Sequence, residues 1–124
     1  MYCVANVSVD LTGILYLICG SKILSILISK DQAFSIWLAL NKKKYERPLT
    51  HDLFVDFLKR YDIKILNATI YREENGIYFA YICTEDFCFD SRPSDAVAIA
   101  LRLGIPIFVR IDLFKEERCC INYF

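Results

Sequence analysis

Asp90, Arg92, Ser94 and Asp95 fall within six consecutive positions, at the head of the stretch DSRPSDAVAIALRLGIPIFV, residues 90–109. Two carboxylates, a guanidinium and a hydroxyl surround a proline where a strand should hand over to an apolar helix. These residue types suit chemistry at a phosphate. Hydrolysis there needs an activated water, a stabiliser for the developing charge and a proton for the leaving oxygen. Asp90 and Asp95 are the ligand type that a hard ion such as Mg²⁺ or Mn²⁺ takes. Arg92 can clamp a phosphate in bidentate fashion, with Arg47 as a second cation, and Ser94 with the free N–H groups of the helix start can hold an anion. His51, the single histidine, stands beside Asp52 and suits general acid or base work.

Each of these residues also has a purely structural use. Ser94 and Asp95 favour a helix N-terminus, and Pro93 fits its first turn. The carboxylates can pair with Arg92 and tie the two segments together. Two function classes follow: a metal-assisted catalytic site, or a non-catalytic oligomeric or regulatory module built around a structural Arg–Asp cluster. Carboxylates converging on an open, solvent-filled point favour the first. The same groups paired with arginines and closed to solvent favour the second.

The elements that must position these residues follow from periodicity. Residues 2–10 alternate loosely as a first strand, and 14–19 with 23–28 form an apolar hairpin about Gly20-Ser21. Ser29 and Gln32 have capping-box spacing, and Ala33, Phe34, Trp37, Leu38 and Leu40 continue as a helix core stripe. NKKKYERP, residues 41–48, is a polar loop. Thr50 is the expected N-cap of a helix over 51–61, with Leu53, Phe54, Phe57, Leu58 and Tyr61 as its buried stripe. Residues 63–72 and 77–83 read as strands joined through Asn75-Gly76, a strong hairpin signal. A short strand (87–90), a helix (94–103) closed by Gly104 and a last strand (105–109) complete the order. The pattern predicts an α+β fold, a largely antiparallel sheet with about three helices packed against it.

Composition sets bounds. The 124 residues suit one domain over 1–124. Fifteen basic and fifteen acidic residues cancel, so nucleic-acid contact would need a local patch rather than a global basic field. The apolar hairpin is short for a membrane span and carries Lys22, so no membrane segment is expected. The six cysteines match no zinc spacing and read as free or buried thiols of a reducing, cytoplasmic compartment. The hairpin over 14–28 is apolar on both faces, which predicts self-association, with a symmetric dimer favoured.

Two segments, RPLTHDL (residues 47–53) and DSRPSDAVAIALRLGIPIFV (residues 90–109), resemble the two signature segments of the bifunctional nuclease domain family. The resemblance covers about residues 25–109, and the Asn-Gly hairpin and helix order agree with it. LSILISKDQAF, residues 24–34, stands where the family usually has a Pro-Ile-Trp-Ile-Gly type sequence. The resemblance implies an α+β domain and hydrolysis of DNA and RNA. His51, Asp52, Asp90 and Asp95 are the expected catalytic residues, with Asp90 and Asp95 as metal ligands and Arg47, Arg92 and Ser94 on the substrate.

Overall fold

The computed structural model describes residues 1–114. The CCINYF segment, with Cys119 and Cys120, lies outside them. Eight strands and three α-helices follow one another as β1 (Tyr2–Val4), β2 (Asn6–Asp10), β3 (Ile14–Cys19), β4 (Lys22–Leu27), α1 (Lys30–Leu40), α2 (Thr50–Arg60), β5 (Asn67–Glu74), β6 (Ile77–Cys83), β7 (Cys88–Ser91), α3 (Pro93–Leu103) and β8 (Ile107–Arg110). A 3₁₀ turn, Ile111–Leu113, closes the described chain. This is the α+β architecture expected.

The strands form two sheets. One has five strands in the order β1-β8-β5-β6-β7, and the other three in the order β2-β3-β4. Every pairing is antiparallel except β5 with β8. The single strand expected over 2–10 is two strands in different sheets. Its break is Ala5, which is buried and donates its N–H to the Ile107 carbonyl at 2.8 Å. Alternation continues across that break, so the pattern did not reveal it.

Helix α3 leaves no residue in the exposed class. Ala96, Val97, Ala98 and Ala100 are completely buried, and the alanines allow close approach by β5, β6, α1 and α2. Fully burying such a helix is favoured by roughly 25 cal/mol for each Å² of apolar surface removed from water. Gly104 ends it at φ 70°, where a side chain would be strained, and Asn75-Gly76 turns β5 into β6 with both residues at positive φ.

Helix α2 differs from expectation. Its buried residues are Val55 and Leu58, whereas Leu53, Phe54, Phe57 and Tyr61 are exposed. The face turned inward is His51, Asp52, Val55 and Leu58, because the polar pair at the helix start has partners in the interior. Its N-cap is Leu49 rather than Thr50, and the Asp52 carboxylate accepts the Leu49 N–H at 3.0 Å. Trp37, expected in the core, is only half-buried, with Lys43 over its ring.

The cysteine expectation is also corrected. Cys3 is bonded to Cys19, and Cys83 to Cys88. The β6–β7 register sets Cys83 directly opposite Cys88, so a five-residue spacing that suits no zinc site suits a strand–turn–strand bridge. No helix among the described residues is long and apolar enough to cross a membrane.

Candidate functional site

The start of α3 and the inward face of α2 meet beside an open cleft of about 920 Å³. Pro93 in the first turn of α3 and a β-region Arg92 as N-cap turn the chain sharply out of β7. That turn carries Arg92 and Asp95 onto the cleft wall. The same wall receives His51 from α2, Ser35 from α1 and Asp90 from β7.

The polar groups form one connected chain of contacts. Arg92 Nε donates to Asp95 Oδ2 at 2.8 Å, and its Nη2 donates to Oδ1 at 3.3 Å. His51 Nε2 lies 2.9 Å from Asp95 Oδ1, and His51 Nδ1 lies 2.7 Å from Ser35 Oγ. Arg102 Nη2 donates to both Ser35 Oγ and the Ser35 carbonyl at 3.2 Å, while its Nε donates to Asp52 Oδ1 at 2.7 Å. Arg102 also caps the Ala98 carbonyl at 3.0 Å. With Arg102 donating to Ser35 Oγ, the hydroxyl proton can go to His51 Nδ1 and the ring's Nε2–H to Asp95. Both ring nitrogens of His51 are then engaged.

Charge and burial separate the two ends of this chain. The Arg102 side chain is 8% exposed and Asp52 is 21%, whereas Arg92 is 69% exposed. Burial pushes the Asp52 carboxyl up, but the hydrogen bonds from Arg102 and Leu49 and the Arg102 and Lys44 charges bring it below the ordinary carboxylate value. Burial likewise raises Asp95, and Arg92 with His51 outweighs it, so Asp95 is also lowered. The hydrogen bond from Arg92 to Asp95 raises the guanidinium in turn.

The expected residues are therefore only partly assembled. Asp95, Arg92 and His51 share the cleft wall, with Asp90 exposed on the same cleft. Asp52 turns away to Arg102 rather than supporting His51. Ser94 is buried and does not line the cleft, and Arg47 lies exposed in the loop before α2, outside it. Ser35 was not expected as a site residue, and Arg102 was expected only as a cation that could offset Asp90 and Asp95. The signal for Ser35 was a lone hydroxyl inside the apolar run AFSIWLAL, and for Arg102 a lone cation on an otherwise apolar helix.

No group of three or more His, Cys, Asp or Glu side chains is placed to hold a divalent ion among the described residues, and both Asp95 oxygens already accept from Arg92 or His51.

The family model described as the bifunctional nuclease domain matches residues 14–122. The chain belongs to the bifunctional nuclease domain family. The match extends beyond the two signature segments at both ends, to include the apolar hairpin. Two curated relatives, from two strains of Mycobacterium tuberculosis and each described as an uncharacterized protein, are 36% identical to this chain over 91 residues. The aligned part is 73% of this chain and 56% of each relative, so the chain spans little more than half their length. Within this bifunctional nuclease domain, RPLTHDL supplies His51 and Asp52, and DSRPSD supplies Asp90, Arg92 and Asp95.

Proposed function

We propose that this domain hydrolyses phosphodiester bonds in single-stranded or flexible DNA or RNA at the mouth of the cleft. The observation that supports this best is the open cleft lined both by Arg92, which Asp95 braces, and by Asp90, which has no partner among the described residues. Arg92 holds a phosphate through the N–H groups that Asp95 leaves free. Asp95 and His51 fix that guanidinium in place. The Asp90 carboxylate takes a proton from the attacking water as its oxygen bonds to phosphorus. The ester P–O bond breaks, and the leaving oxygen takes a proton from solvent. Phe34, Phe54 and Phe89 line the same cleft and offer faces on which bases can stack. None of these steps is routed through a metal.

The test is cleavage of a labelled single strand by the purified protein, with and without Mg²⁺ or Mn²⁺, beside Asp90→Asn. Activity in the wild type that the variant lacks supports the reading. Equal cleavage by both would remove Asp90 from it, and no cleavage under either condition would remove hydrolysis.

A second reading rests on the closed Asp52–Arg102 pair and on an outward sheet face. By register Ile14 and Leu27 are neighbours on that face, as are Ile18 and Ile23, with Leu27 84% exposed. In this reading the domain is a non-catalytic symmetric dimer that covers that face. A monomer at micromolar concentration in sedimentation equilibrium would contradict it.

A further inference from the structure

Helix α3 packs on one face of the five-stranded sheet, against β5 and β6, and the other face carries aromatic rings in register. Phe108 pairs with Thr69, and Thr69 pairs with Tyr81, so one row across β8, β5 and β6 reads aromatic, small, aromatic. Thr69 is 4% exposed and forms a floor. The two flanking strands lie two inter-strand spacings apart, roughly 9.6 Å. That leaves room for a planar ring between the side chains they carry. Tyr2, Asn67 and Cys83 complete a pocket of about 320 Å³ with these three residues.

The polar chemistry of this pocket is specific. The Thr69 hydroxyl donates to Asn67 Oδ1 at 2.8 Å, which fixes the amide and leaves its NH₂ group as a donor at the pocket. Tyr71 packs against Tyr81 with ring centroids 5.0 Å apart and holds that wall. A pocket with aromatic walls and one oriented amide suits a flat heterocycle with a hydrogen-bonding edge. Arg110 and Arg72 share this face by register with Tyr2 and Phe79, but Asp112 and Glu74 pair with them. Stacking therefore outweighs charge here. Tyr81 is the direct cross-strand partner of Asp90, so one residue pair at the β7 edge links the pocket wall to a residue of the cleft.

We propose that this pocket binds one unstacked nucleobase of a single-stranded nucleic acid, whose backbone crosses the β7 edge from the cleft. The backbone path rests on the function proposed above, whereas base capture in the pocket does not. The Asn67 amide reads an acceptor on the base edge, and Tyr81 with Phe108 holds its faces.

Two measurements on the full chain test this. One is anisotropy of a fluorescein-labelled adenosine pentanucleotide with wild type, Tyr81→Leu, Tyr81→Phe and Arg92→Gln. The other is the amide chemical-shift response of the wild type to free adenosine, which needs no cleft. Tyr81→Leu should weaken the pentanucleotide roughly ten-fold or more while Tyr81→Phe retains it, and adenosine should shift the Asn67 and Thr69 amides. Affinity lost in Arg92→Gln but unchanged in Tyr81→Leu would overturn the pocket and leave the cleft reading standing. Tyr81-dependent binding without any cleavage would keep the pocket and remove hydrolysis. Absence of adenosine shifts in the wild type would overturn the pocket whatever the variants do. So would a Tyr81→Leu change in sedimenting mass with unchanged binding, which would mark the face as a contact between copies.

Discussion

The two halves of the polar network use the same pairing, an arginine with an aspartate, in opposite settings. Arg102 and Asp52 are closed in between α1, α2 and α3, and each nitrogen of that guanidinium donates to an oxygen of Asp52, Ser35 or Ala98. Arg92 and Asp95 face the cleft, and Arg92 has no described acceptor other than Asp95. A closed pair is costly to break, because the partner left behind is a buried charge. An exposed pair contributes little to stability and keeps donors for a ligand. In the proposed function the closed half holds the site and the open half meets the substrate.

The largest effect should come from the closed half. Arg102→Met removes the guanidinium from Asp52 and Ser35 together and should cost about 3–5 kcal/mol, measured by urea unfolding. A loss below about 1 kcal/mol would erase the distinction between the halves. Asp95→Asn should cost less, about 1–3 kcal/mol, since the amide can still accept from His51. The fold should persist by circular dichroism.

Acid unfolding sharpens the same contrast. Asp52 and Asp95 both sit below their unfolded value in the folded chain. Each contributes stability that is fully present above the ordinary carboxylate range. That stability is lost as pH falls through the lowered folded value. Stability should therefore decline below about pH 4. The decline should be shallower in Arg102→Met, where Asp52 has lost the partner that lowers it. An identical acid limb in both proteins would show that this pair does not drive it. The smallest effect is expected for Arg92→Gln, within about 1 kcal/mol of wild type, because the side chain is largely solvated.

Much of the fold was legible in the sequence. Ser29 and Gln32 form their capping box, Asn75-Gly76 makes its hairpin, and the apolar stretch from Ala96 to Leu101 becomes the buried helix. These are local signals, set by caps, turns and period. The inward face of α2 was misjudged because hydrophobicity normally selects it. Here an ion pair from 50 residues further along the chain, Arg102 to Asp52, fixes the helix's rotation instead. The Cys83–Cys88 bridge depends on strand register, which spacing alone does not reveal. In the site, the motif residues Asp90, Arg92, Asp95 and His51 all line one cleft. The partner of each was not legible, because pairing depends on how three helices meet.

The central claim is that the open half acts on phosphodiester bonds while the closed half only holds it. The most direct measurement is single-turnover cleavage of a labelled single strand by wild type and Asp95→Asn, with each protein's folded fraction verified in the same buffer. The account predicts cleavage by the wild type and its loss in a folded Asp95→Asn, because Arg92 is no longer held at the cleft. Cleavage by folded Asp95→Asn at the wild-type rate would contradict it.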